Sequence, residues 1–401
     1  MKNTFSENIL TLFPEGRIDG NNADSVEKEI FSIIEGCGEQ PKKIVFDFTD
    51  INYISSAGLR IFIKIKRRIK DIEVINTTSE VYEILDITGF TNMLDVKRSM
   101  PSVNIEGLEV IGGGVRSKVL KLDDERVVKV FDKNCSLEWI EKKKQHATKL
   151  IAAGIPAAIS FETVRCGDNY GIIYEMMNAK TVLRAVCEEP EKTEFYGREM
   201  GKLLNLLHAN EFDNGFENYD DRVERRIDIL EKEFSEFYDA QTISAMRKIR
   251  RSIKRRNSLV MGYFHEGNVM LHNGEMLIAN FDGVGTGSTA YELVTHYMAH
   301  DVIADDPVRT LHLGADPDIL KSLRRYAWLE FLYDDEGELK RLEGCAVDLA
   351  LFMRLMYPAA NKEIGADCEK DIRELMEKDI PLFKQKADEI ANAASYFNLV
   401  K

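Results

Sequence analysis

Apolar positions in the first hundred residues recur with two periods. Asn8 to Phe13 is a short β-prone run, and Pro14-Glu15-Gly16 supplies turn chemistry after it. Val26, Ile30, Ile33 and Ile34 share one helical face, which predicts a helix from about Ala23 to Ile34. Lys43 to Asp47 is nearly all apolar and predicts a strand covered on both faces. Leu59, Ile61, Phe62, Ile65 and Ile69 return at helical spacing among five basic residues. Ile72 to Asn76 reads as another strand, and Ser79 as the cap of a helix running through Leu85. Strands and helices alternating at this length predict an α/β unit, a largely parallel sheet with helices packed on it.

The periodicity stops at Lys97 to Ser102, where Pro101 enters. This divides the chain into a first domain over 1–98, a linker over 99–106 and a second domain beyond. Leu108 to Val130 reads as strands broken by Gly112-Gly113-Gly114, followed by a helix from Leu137 to Ala153. Ser160 to Val164 and Gly171 to Glu175 are strand-like. From Lys192 the pattern is mainly helical, apart from a β-like hairpin at Val269 to Phe281 with Asn273-Gly274 at its turn. The second domain is therefore expected to be α+β and bilobal, a β-rich lobe over 107–185 and a helical lobe over 186–401.

Composition narrows the function classes. Hydrophobic residues make up 44% of the 401, enough for a full core, so the chain is not disordered. Its 54 Lys+Arg against 68 Asp+Glu give a formal charge of −14, which argues against a nucleic-acid coat. The six cysteines form no C-x-x-C pair and read as reduced thiols rather than zinc ligands or disulfides. The start Met1 to Leu10 is too polar for a signal peptide, and no apolar run approaches the roughly 20 residues of a membrane span. The expectation is a cytoplasmic protein.

Ser55 and Ser56 fall between a strand and an amphipathic helix. Backbone N–H groups and the dipole at a helix N-terminus favour negative charge. A serine there either caps the helix or accepts a phosphate, which would add a charge of about −1.5 to −2 and can switch an interface. Gly16 to Ala23, Val45-Phe46-Asp47-Phe48, Tyr53 to Arg60 and Thr88-Gly89-Phe90 resemble, in order, a STAS domain of the anti-sigma-factor antagonist type, with its mixed sheet and helices. The resemblance implies that Ser56, two positions before Gly58-Leu59, is phosphorylated by a partner kinase and that the partner is of anti-sigma or kinase type. The family often has Asp where this chain has Ser55, so a local negative charge is missing.

In the second half, Val110 to Lys121 has the composition of a glycine-rich phosphate loop, with Gly112 and Gly114 as backbone contacts. Lys129 follows between valines, where it would reach phosphates, and Glu138 or, preferably, Glu141 would be its ion-pair partner. Met261 to Leu271 resembles the H-G-D-F-H-x-x-N segment of the aminoglycoside-phosphotransferase and choline-kinase branch of the protein-kinase-like fold, matching at Gly262, Phe264, His265 and Asn268. Leu277 to Gly287 resembles the metal-binding segment that follows in those enzymes, and Ala290 to Val294 a helix start beyond it. The resemblance implies ATP and Mg²⁺ as cofactors, with metal positions at Asn268, Asn280 and Asp282.

Two departures weaken that implication. Tyr263 stands at the position of the family's catalytic aspartate, and a phenol with a pKa near 10 is a poor base. Asn280, which is neutral, stands at the first metal aspartate, unless a shift of register gives Asp282 the principal role. Phosphoryl transfer depends on charge neutralisation, so ATP and Mg²⁺ are expected to bind weakly or not at all. Glu266 is the one nearby carboxylate that offers a substitute base, and His265 reads as structural. The basic run Arg247 to Arg256, with seven cations in ten residues, reads as a solvated helix face rather than a docking site. His296 and His300, spaced i, i+4, read as helix packing. The leading expectation is a STAS phospho-switch joined to a pseudokinase. The alternatives are an active phosphotransferase on a small hydroxylated or amine-containing substrate, and a pair of interaction scaffolds.

Overall fold

The structure, a computed structural model, describes residues 1–114, 116–302, 316–363, 365 and 375–400. It divides into two compact units, Met1–Ile105 with Thr163–Asp168, and Glu106–Glu162 with Asn169–Lys401.

The first unit contains β1 (Lys2–Ser6), β2 (Ile9–Phe13), β3 (Gly16–Ile18), α1 (Ala23–Glu35), β4 (Lys43–Asp47), β5 (Ile51–Ile54), α2 (Ser56–Lys66), β6 (Asp71–Thr77), α3 (Ser79–Ile87) and β7 (Asp95–Arg98). Its main sheet has the order β1-β2-β4-β6-β7, antiparallel at β1/β2 and parallel elsewhere. The mixed sheet is the expected one. Glu7 and Asn8 turn the β1/β2 hairpin with φ of 52° and 63°, a conformation that short polar side chains tolerate best.

The expectation that β4 is covered on both faces does not hold. Ile44 and Phe46 are buried, whereas Lys43, Val45 and Asp47 are half-exposed. The second face carries a polar ladder: Glu73 on β6 lies between Lys43 on β4, 2.6 Å away, and Lys97 on β7. Those lysines hold the Glu73 carboxyl below its usual range, first through their hydrogen bonds. The cap of α3 is Thr78, one residue before the serine expected, and its hydroxyl accepts from the N–H of Val81 at 3.3 Å. Ile30, Phe46, Phe62 and Leu85 belong to one core, with the Phe46 and Phe62 rings 5.0 Å apart, edge to face.

The second unit opens with β8 (Val110–Gly114), β9 (Ser117–Lys121), β10 (Arg126–Phe131) and α4 (Leu137–Ala152) and, after β11 (Ser160–Cys166), whose residues are divided between the two units, β12 (Asn169–Glu175); its own strands follow the sheet order β12-β10-β9-β8. Gly112 and Gly114 sit inside β8 and do not interrupt the strands. A Cβ at Gly113 would lie 2.8 Å from the Ser117 carbonyl oxygen, so the glycines permit close pairing with β9. Beyond this sheet the unit is mainly helical, as expected. Helix Thr193–Ala209 crosses helix Pro317–Phe331 closely at Gly197 and Gly201. The hairpin of strands Val269–His272 and Glu275–Ile278 turns at Asn273 and Gly274, with φ of 51° and 87°.

Cys37, Cys135, Cys166 and Cys345 form no disulfide among the described residues; Cys368 lies outside them. Among the described residues no helix is long and apolar enough to cross a membrane. Much of the basic run is absorbed by acidic partners. Arg247 meets Glu224, Asp228 and Glu231, and Arg255 meets Asp221.

Candidate functional site

The loop from Met261 to Asn268 is held through its backbone. Glu292, buried on helix Thr289–Tyr297, accepts the N–H groups of Met261 and of Gly262, the latter at 3.0 Å. Burial pushes its carboxyl up to about 7, against the pull of those bonds. Gly262 has φ of 76°, and the Tyr219 hydroxyl occupies the space a Cβ would need. That hydroxyl donates to the Gly283 carbonyl at 2.7 Å, and Arg222 donates to the same oxygen at 2.8 Å. The segment after Asp282 is thereby tied to the loop.

Tyr263 is 55% exposed, and its ring lies against Gly283. It brings no carboxylate to the expected base position. His265 is structural in its contacts: its Nδ1 accepts from the N–H of Gly267 at 3.1 Å, and Nε2 meets the Asn268 amide at 2.9 Å. Burial lowers its pKa. Glu266 is buried and faces His300. Burial alone would raise its carboxyl, but the His300 charge and hydrogen bond more than offset this and bring it down to about 2. So held, Glu266 is not placed as a solvent-facing base. The His296 and His300 rings are 4.7 Å apart, and Trp328 donates to His296 at 3.3 Å, so the pair packs internally.

Lys129 on β10 reaches Asp282 Oδ2 at 3.1 Å and Asn280 Oδ1 at 3.3 Å. Asn280 also accepts the Asp282 N–H at 3.2 Å, and its amide approaches Asn268 Oδ1 at 3.5 Å. Lys129, Asn268, Asn280 and Asp282 are thus brought together. Glu141 is not among them: it lines a separate surface depression with Glu138 and Gln145. The α4 residue that turns inward is Lys143, whose ammonium donates to the Asp282 carbonyl. Burial lowers its pKa to about 8, although the Asp282 charge acts in the opposite sense.

These donors do not suit a resident Mg²⁺. Hard divalent ions require several anionic or neutral oxygens. Here the single carboxylate and one amide oxygen already face the Lys129 ammonium, and Lys143 adds a second positive charge at the Asp282 backbone. A divalent ion would have to enter beside two cations. Among the described residues no group of three or more His, Cys, Asp or Glu side chains is placed to hold a metal.

In the first unit, Ser55 follows β5 with extended backbone and caps α2, its hydroxyl accepting from Ala57 N at 3.2 Å. Ser56 is the first helical residue and is exposed. Gly58 packs directly on Ile18 and Ile54, where a Cβ would come within 2.8 Å of both side chains. The family model described as STAS domain matches residues 1–103.

The N-terminal region is a STAS domain.

BtrV of Bordetella bronchiseptica, named provisionally as an anti-sigma factor antagonist, is 27% identical over 97 residues, 23% of this chain and 81% of BtrV. Among solved structures, the ADP-bound aminoglycoside phosphotransferase APH(2'')-Ib is similar over 78% of this chain and 99% of its own, at 15% identity and a TM-score of 0.49. A choline/ethanolamine kinase family protein from Mesorhizobium loti is similar over 73% and 94%, at 12% identity and a TM-score of 0.45.

Ser55 of the STAS domain performs the capping that an Asp would also perform, so the missing carboxylate costs the helix little. Sequence reasoning overlooked Tyr219, Arg222, Lys143 and the loop-binding role of Glu292. Lys143 alone carried a signal: Ile140, Lys143, Ala147 and Leu150 follow the 3-4-3 spacing of a buried stripe, and Glu141 lies off it.

Proposed function

We propose that the protein is a cytoplasmic signalling component in which the STAS domain switches through phosphorylation of Ser56, and that its second domain is a pseudokinase. The proposed division is 1–98, a linker over 99–106, and lobes over 107–185 and 186–401. The observation that carries the reading is the state of the cleft: the Lys129 ammonium rests on Asp282 and Asn280, and Tyr263 replaces a carboxylate. A cleft so arranged lacks both a base and the anionic seat for Mg²⁺ on which phosphoryl transfer depends. The exposure of Ser56 at a helix start, and the likeness to BtrV, support a charge-controlled face for a partner of the anti-sigma type. The free thiols of Cys37, Cys135, Cys166 and Cys345 fit a reducing compartment.

The convergence of Lys129, Asn268 and Asp282 favours a second reading, an active ATP-dependent phosphotransferase on a small hydroxylated or amine-containing substrate. Labelled ATP with Mg²⁺ separates the two. The full chain is expected to show no autophosphorylation or turnover above a Lys129→Ala control, and transfer that depends on Lys129 would establish the second reading. For the switch, Ser56→Asp should bind an anti-sigma-type partner more weakly than Ser56→Ala; equal binding would refute it.

A further inference from the structure

We propose that the cavity between α4 and the Asp282–Val284 segment binds a di- or triphosphate chain through the protein's own cations, with no divalent ion between them. The inference deepens the reading of the cleft as non-catalytic and rests on its poor fit to Mg²⁺.

The cavity measures about 430 Å³ and is lined by six cations, Arg116, Lys142, Lys143, Arg222, Arg225 and Arg226. Three of these are answered by carboxylates. Arg222 meets Glu217 at 3.0 Å, and Arg225 and Arg226 meet Glu363 at 2.9 and 2.8 Å. The other three meet no carboxylate among the described residues. Arg116 contacts Cys135 Sγ at 3.0 Å and lies over the Trp139 ring at 5.2 Å. Lys143 lies 4.8 Å from the centroid of the same ring and otherwise holds only the Asp282 carbonyl. Lys142 is exposed at the rim. Trp139 thus holds two cations in place over its π-system, which settles their positions before any anion arrives.

A second, independent feature points to a ligand. His146 on α4 also lines the cavity and is only 4% exposed; its ring interacts with the Gly215 backbone, yet neither ring nitrogen makes a hydrogen bond of ordinary geometry. Burial, first, and the neighbouring lysines lower its pKa to about 4, so at neutral pH it is an uncharged imidazole with one N–H to donate. A buried donor with no well-formed bond is costly, and an entering anion would offer it a charged acceptor in place of the Gly215 backbone.

A phosphate chain suits this lining. It carries several charges along its length and can meet Arg116, Lys142 and Lys143 together, whereas one orthophosphate is too small to span them. Charge-assisted bonds to phosphate oxygens are the strong class for these donors. The apolar side chains of Val119 and Val127 are not part of the lining, so a nucleotide base is not read here. Inorganic polyphosphate and the chain of a nucleoside di- or triphosphate share the chemistry.

The test is calorimetry and thermal denaturation of the full chain with tripolyphosphate, pyrophosphate, orthophosphate or ATP, each in EDTA and again with Mg²⁺. Tripolyphosphate is expected to bind and stabilise in EDTA, better than orthophosphate, and Mg²⁺ is expected to weaken binding by sequestering the anion. Lys143→Met should lower the affinity by roughly tenfold or more, and the rim variant Lys142→Gln, which leaves the core untouched, by a few-fold. Equal binding of ATP and tripolyphosphate would assign the site to the chain alone, and tighter ATP binding would make nucleotides the source; both support the site. Binding that appears only with Mg²⁺, no binding in EDTA, or unchanged affinity in Lys142→Gln with folded Lys143→Met would overturn it. Turnover measured separately would reverse the proposed function without affecting this result.

Discussion

At the start of α2 a serine faces solvent above the first turn of a helix, and around Asp282 a single carboxylate is held beside two lysines. The first place has room for negative charge and carries none. The second has positive charge in excess and has little carboxylate left to answer it. Modification at Ser56 would require only exposure and a favourable dipole, which a short surface motif can supply. Phosphoryl transfer requires several carboxylates fixed by distant elements, and under the proposed function exchanging two side chains would remove it while leaving the frame in place. The comparison separates a site defined by access from one defined by pre-positioned charge.

The strongest challenge to it is Gly262→Ala. Left-handed backbone and collision with the Tyr219 hydroxyl should together cost about 3 kcal/mol or more, read as a lower urea midpoint for the second domain. An unchanged midpoint would mean that the loop frame is not what holds the cleft. Lys143 provides a test through pH. Its pKa is 10.5 unfolded and about 8 folded, so between these values the unfolded chain binds more protons and stability rises with pH. The rise is at most about 3 kcal/mol and should be lost in Lys143→Met, measured by denaturation across pH 7 to 11. Smallest is the serine pair. Ser55→Ala should destabilise the STAS domain by about 1 kcal/mol through loss of the cap, and Ser56→Ala by less than about 0.5 kcal/mol. A reversed order would exchange their structural and regulatory roles.

The main elements of both domains were legible because their periodicity is strong. Helices α1, α2 and α4 begin where the apolar stripes predict, and Asn273-Gly274 marks its hairpin. β1, β3 and β5 were not, since strands of three to five residues such as Lys2–Ser6 carry polar or mixed side chains. The second face of β4 misled for a related reason: an apolar Val45 says nothing of the Glu73 beside it in register until strand order is known. Placement of Lys129 with Asn280 and Asp282 was read through resemblance to known enzymes, which preserves motif order. The choice of Glu141 failed because that resemblance gives the helix but not its rotation about its axis, which the stripe through Ile140 and Ala147 determines.

The anchoring of the Met261–Asn268 loop has one more consequence. Its path is set by Gly262, by the bonds to Glu292 and by the Asn268 amide on the carbonyl of residue 263. None of these uses the side chain at 263, which is more than half exposed and rests its ring against Gly283. A lineage could therefore exchange that residue in either direction with little penalty in folding. Such a position records what selection asked of the protein's chemistry, almost free of what it asked of the protein's shape.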